Sequence, residues 1–307
     1  MSEDPKEDRR EEPPPFGLPP DWQDRARRLL PSILVASAIL VYALLVSLWL
    51  AVALVGMIVW HEWGHVRAAE LCGVRSRGIF VIPFVGGVAA LDSLGRSRED
   101  QLTIALGGPL FGLCLCLPAL LAAFVLEGVV GASLRMALVM WAGLNLLNLL
   151  PVHPLDGGRV VHGLAHTISP FAGLTVSGFG VAALAALALA TGHPVIFIVG
   201  IIGGLEFINE YRLYDRLKGA PSEGRREDAP DPVLRPRAED ERAPGALSPA
   251  KDPEEAYRRL VSAGRLPPRR VALFLAIYLA LMSVYGGLLA VALFSPRLAA
   301  PLTLGGN

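Results

Sequence analysis

The sequence predicts an all-α polytopic membrane protein with about six or seven transmembrane helices and a short membrane-associated β-hairpin after the helix that holds His61 and His65. Three observations carry this. Hydrophobic residues make up 53% of the 307 residues and the mean hydropathy is +0.48. Charged residues make up only 18%, against roughly 25% in soluble domains. The 28 cationic and 28 anionic side chains gather at the ends and in the connecting segments. They leave apolar tracts of the roughly 20 residues that a spanning helix needs. The neutral total is no argument for nucleic acid, and no nucleic-acid partner is expected; a lipid bilayer is.

Residues 1–30 are expected as a disordered cytosolic tail, polar at first and carrying Pro13, Pro14 and Pro15. No secretory leader is expected, because the first apolar run starts only near Ile33. That run reaches Trp60, too long for one simple span, and its helix should continue to about Leu71. It is either one long tilted helix or a hairpin turning near Ser47–Trp49. A glycine-rich segment follows over 73–97, with a strand-like run at 78–82. Further helices are expected over about 100–126 and 134–150. A Pro/Gly-bounded loop at 151–158 then leads into a short helix to about Thr167. Two more apolar runs, 171–191 and 194–211, are separated at Gly192-His193-Pro194. These elements make up a membrane core over 31–212. A flexible charged cytosolic segment is expected over 213–269, with an amphipathic helix near 253–261. A C-terminal transmembrane helix over 270–295 and a short tail over 296–307 complete the chain.

Cationic residues favour the cytoplasmic side of short loops. With a hairpin in the first run, the basic segments 6–28, 75–98, the Arg159 loop and 212–270 all fall on one side. The intervening loops near 47, 127–133 and 192–193 hold no Lys or Arg. The charges therefore favour the hairpin, seven spans and a cytosolic N-terminus. Cys114 and Cys116 lie in an apolar run and are expected as small core residues. With Cys72 they form no metal-like spacing.

The chemistry concentrates in His61-Glu62-Trp63-Gly64-His65. On a helix, residues four apart share a face one turn apart, so both imidazoles can hold one cation. Glu62 can then reach a metal-activated water without being a ligand, which makes it a general base. The motif ends a run of about 28 apolar residues, where burying His and Glu is costly and points to function. Zn2+ is the expected cofactor, and catalytic zinc takes three protein ligands plus an open position. Asp156 is the candidate third ligand; its alternative is to N-cap the helix starting at Gly157. His153 is a pocket candidate. His162 and His166, also four apart, lack a following Glu and are expected on the polar face of their helix.

In three ordered stretches the sequence resembles the site-2 protease family of intramembrane metalloproteases. The first is Val59–His65 with Ala68-Ala69 and Gly73. The second is Ile82–Leu91 followed by Ala105–Pro109. The third is Asn145–Asn148 followed by Leu150-Pro151 and Pro154–Arg159. Together they cover about 55–170. The resemblance implies His61, His65 and Asp156 as zinc ligands and Glu62 as catalytic base. It implies Asn148 as a residue that holds substrate or stabilises the oxyanion, and Gly86-Gly87 as part of a strand that binds substrate by pairing. It further implies a transmembrane protein as substrate, cut in or near its membrane segment, and a multi-pass location in a bacterial cell membrane. The chain departs from the family at His153, where Pro or a small residue is usual, and at Gly107, where Ala is usual. A metal-binding scaffold or transporter is the alternative, against which the intact Glu62 argues.

Overall fold

The computed structural model describes residues 20–45, 47–84, 86–91, 97–192, 194–218 and 266–295. Among them the chain is helical apart from one hairpin. The elements are α1 (Pro20–Leu45), α2 (Leu48–Leu71), β1 (Ser76–Ile82), β2 (Gly86–Leu91), α3 (Arg98–Val125), α4 (Gly128–Asn148), α5 (Asp156–Ile168), α6 (Pro170–Thr191), α7 (Pro194–Lys218) and α8 (Pro268–Phe294).

The long first run breaks at Ser47. Ser47 takes an extended conformation, and its hydroxyl accepts the Leu50 N–H at 3.3 Å, capping α2. The chain then doubles back, and α1 and α2 pack against each other as a hairpin. Helix α1 starts earlier than the disordered tail to residue 30 allowed, at Pro20. Proline suits that position because a helix's first N–H groups have no partner to lose.

Helix α3 begins at a capping box. Asp100 N–H donates to Ser97 Oγ at 3.1 Å, and Ser97 N–H donates to Asp100 Oδ2 at 3.0 Å. Helix α4 starts at Gly128, six residues before the expected 134, so the loop before it shrinks to Leu126-Glu127. Ser169 caps α6, with Pro170 at its first position. Helix α7 runs on to Lys218, past the expected end of the core. The amphipathic helix expected near 253–261 lies outside the described residues.

Among the described residues, four helices are long and apolar enough to cross a membrane: α3, α4, α6 and α8. The chain is an integral membrane protein; the expected count of six or seven spans is not confirmed by length and composition. The shortfall has a physical reason. Helix α1 contributes only the apolar stretch Leu29–Leu45. Helix α2 carries His61, Glu62, His65, Arg67 and Glu70, and α7 carries Glu206, Asn209, Glu210 and Arg212. The helices that hold polar clusters are the ones that lose apolar character.

The main core joins α2, α3, α4, α5 and α8 through Met57, Leu102, Leu106, Leu138, Val160 and Leu281. Tyrosines on α8 tie it in: Tyr278 Oη donates to Leu149 O at 2.7 Å and Tyr285 Oη to Pro109 O at 2.6 Å. Trp60 Nε1 donates to Phe111 O at 2.8 Å and Trp141 Nε1 to Ala53 O at 2.9 Å, fixing α2 against α3 and α4. Helices α2 and α3 come closest at Gly64 and Gly107. A Cβ on Gly107 would lie 2.6 Å from Gly64 O and 2.7 Å from Ala68 Cβ. Of the two cysteines expected inside, Cys116 is buried on α3, but Cys114 is exposed, two residues round the helix and off its packed face.

The hairpin pairs β1 and β2 antiparallel, with Ile79 opposite Ala89 and Val81 opposite Gly87. Its turn holds Phe84 at φ 65°, a left-handed conformation costly for a bulky side chain. Phe84 N–H donates to Tyr42 Oη at 2.8 Å and the two rings meet edge to face, so α1 holds the turn.

Candidate metal centre

Helix α2 presents His61 and His65 toward α3, α4 and the start of α5. The third group comes from α5, whose first residue is Asp156. Asp156 does not cap the helix: the N-cap is Leu155, with no side-chain cap bond. The carboxylate instead turns inward, placing Oδ2 3.0 Å from His61 Nε2 and 3.2 Å from His65 Nε2. The two Nε2 atoms are 3.2 Å apart. All three residues are buried.

Each imidazole is held from behind. His61 Nδ1 lies 3.0 Å from Asn145 Oδ1 and His65 Nδ1 lies 2.7 Å from Ile104 O. Both partners are acceptors, so each Nδ1 carries the proton and each Nε2 offers its lone pair to the common centre. Asn145 is in turn fixed by donating from Nδ2 to Trp141 O at 2.9 Å.

The donor set fits a tetrahedral transition-metal ion. Zinc bonds of about 2.0–2.1 Å at tetrahedral angles put ligand atoms about 3.3 Å apart, close to the separations found here. Space for an ion comes from α3, where a Cβ on Gly108 would lie 2.6 Å from His61 Nε2 and closer still to His65 Nε2. Gly157 and Gly158 let α5 begin tightly against the preceding loop, since a Cβ on either would strike the backbone at Leu149 or Val152.

Glu62 lies beside this centre and faces β2. Its Oε2 accepts the Ala89 N–H at 2.9 Å. A Cβ on Gly87 would run into the Glu62 side chain, so only glycine lets the strand come this near. Gly86 plays a different part: it has φ 120° and open space around it, and serves the turn. Asn148 Nδ2 stands 3.2 Å from His61 Nε2, at the rim of the centre.

His153, His162 and His166 are not drawn into this centre. His162 and His166 also leave the polar face on which they were expected. Their Nε2 atoms lie 2.6 and 3.0 Å from Glu210 Oε1, and His166 is buried. A carboxylate from α7, far along the chain, pulls them inward. Sequence reasoning missed Glu210, Asn145, Gly108 and Ala89. Asn145, Gly108 and Ala89 lie in the stretches that resemble the family, where no role was assigned to them; Glu210 lies outside those stretches.

The peptidase family M50 model matches residues 49–140, which hold both histidines and Glu62 but stop before Asp156. Rip3 of Mycobacterium tuberculosis, named as a zinc metalloprotease, is 32% identical over 163 residues, covering 50% of this chain and 41% of that protein. A zinc metalloprotease of Methanocaldococcus jannaschii is 32% identical over 112 residues, 35% of this chain and 31% of that one. Stage IV sporulation protein FB of Bacillus subtilis is 31% identical over 113 residues, 36% of this chain and 38% of that one. The chain thus spans less than half the length of each of these relatives. The solved site-2 protease of M. jannaschii superposes with a TM-score of 0.41 at 20% identity, covering 58% of this chain and 86% of that one. Residues 49–140, with His61, Glu62 and His65, match the peptidase family M50 model, and over part of its length the chain is similar to zinc metalloproteases.

Proposed function

We propose that this chain is a zinc metalloendopeptidase that hydrolyses a peptide bond in or near the transmembrane segment of another membrane protein. One observation carries the proposal: His61 Nε2, His65 Nε2 and Asp156 Oδ2 converge in a buried pocket, with the Glu62 carboxylate beside them. The names of the relatives support zinc as the ion. Two of the three relatives named are bacterial, which supports a bacterial cell membrane as the location.

His61, His65 and Asp156 would hold the ion, leaving a fourth position open. Bound there, zinc supplies Lewis acidity that makes a water nucleophilic near neutral pH. Glu62 takes the proton from the attacking water on a carboxylate oxygen and passes it to the departing amine. Asn148 Nδ2, a neutral donor at the rim, would steady the substrate carbonyl as negative charge grows on its oxygen. The substrate chain must be extended for attack, because a helix hides its peptide bonds. The edge of β2 around Gly87 and Ala89 offers a strand to pair with it, beginning after the turn at Gly86.

The test is cleavage of a single-span substrate by the purified chain in detergent. Glu62→Gln should retain zinc and lose at least a thousandfold in rate. Equal cleavage by both forms would overturn the proposal.

A further inference from the structure

The cluster formed by His162, His166 and Glu210 repeats the layout of the first centre. In both, two histidines four residues apart on one helix turn their Nε2 atoms to a single carboxylate oxygen from another element. The distances are 3.0 and 3.2 Å to Asp156 Oδ2, and 2.6 and 3.0 Å to Glu210 Oε1. In both, the three ligand atoms lie within 4.8 Å of one another.

The surroundings are built to hold these groups. Ser177 on α6 donates to the other carboxylate oxygen, Glu210 Oε2, at 3.3 Å, which turns Oε1 toward the imidazoles. Ser177 is itself buried and lies 3.4 Å from His153 Nδ1. The His153 ring meets the His162 ring edge to face at 4.8 Å and closes one side. Gly173 on α6 leaves the room that His166 fills, since a Cβ there would run into the imidazole. The side chains of His162 and Glu210 keep 21% and 14% of their exposure, so a water can complete the set.

We propose that His162, His166 and Glu210 form a second metal site for a divalent cation of the zinc class. Two imidazole nitrogens and one carboxylate oxygen are a set that suits zinc and disfavours magnesium and calcium, which take oxygen ligands. The site has no base: Gly163 stands where Glu62 stands in the first motif. Its role is structural. It joins α7 to α5, the helix whose first residue is Asp156, and His162 lies six residues further along, about 9 Å at 1.5 Å per residue. The second ion would hold the element that delivers the third ligand of the first.

The test is metal counting on the full chain without a histidine tag, in detergent, stripped with chelator and returned to micromolar buffered Zn2+. Wild type should hold two zinc ions per chain, and so should Glu62→Gln. A variant lacking the first site (His61→Ala, His65→Ala, Asp156→Ala) should hold one, and its Tm should rise when Zn2+ is added. Adding Glu210→Gln and His162→Ala should remove that ion and that rise. A wild type whose zinc content does not change on Glu210→Gln with His162→Ala would overturn the proposal, whatever happens at the first site. So would a zinc ion in the first-site variant that survives loss of Glu210 and His162.

Discussion

The Ala89 N–H donates to Glu62 Oε2 at 2.9 Å, so the strand proposed to receive substrate is bonded to the proposed base. The carboxylate must give up this bond, or share it, to take a proton from water. Substrate pairing along β2 and freeing of Glu62 therefore involve the same strand.

Gly87→Ala tests that closeness. Its Cβ would lie 2.7 Å from Glu62 Oε1 and 2.8 Å from Cδ, so either the strand or the base must shift. The expected result is a loss of at least tenfold in kcat with zinc content unchanged, since a misplacement of about 1 Å can cost 10²-fold. Measured rate and metal content together check it.

Asn145→Leu removes the acceptor behind His61 Nδ1 and leaves the ligand itself in place. Loss of such a partner typically weakens metal affinity 10–100-fold. Competition with a fluorescent zinc chelator should show a fall in that range. An unchanged affinity would mean that Asn145 does not orient the ring.

Gly108→Ala puts a methyl group where the ion would sit, 2.6 Å from His61 Nε2. The protein should elute from size exclusion as wild type does and hold one zinc fewer. Retention of full zinc would show that the ion occupies a different place.

Tyr285→Phe removes the hydroxyl that binds Pro109 O from a fully buried ring. A buried hydrogen bond contributes about 1 kcal/mol, more where the partner is left unpaired. Thermal unfolding in detergent should move down by a few degrees while zinc content stays the same. A larger fall accompanied by zinc loss would tie α8 to the geometry of the first centre.

The local parts of this protein were legible in the sequence because they follow from short spacings. The four-residue step from His61 to His65 is helical spacing, the break near Ser47 follows from where the cationic residues stand, and the strand run at 78–82 from β-branched and aromatic residues bounded by glycine. The span count was less legible. Hydropathy measures each helix alone, and α2 and α7 carry polar groups that only their neighbours satisfy. The capping alternative for Asp156 could not be dismissed either, since a carboxylate at a helix start serves both roles until its direction is known.

By itself the sequence determined a polytopic, largely helical membrane protein and singled out His61, Glu62 and His65, with Asp156 as the candidate to join them. Membrane character, helical spacing and costly buried polar groups all act along the chain and can be counted there. Only the tertiary structure decided what lies across from them. Asn145 behind His61, Gly108 facing both Nε2 atoms, Ala89 on Glu62 and Glu210 between His162 and His166 are 84, 47 or 43, 27 and 48 or 44 residues away from their partners. No local periodicity links such positions. They meet because α3, α4 and β2 pack against α2, and α7, packed on α6, reaches α5 through Glu210; burial leaves each polar atom no partner but the one that packing supplies.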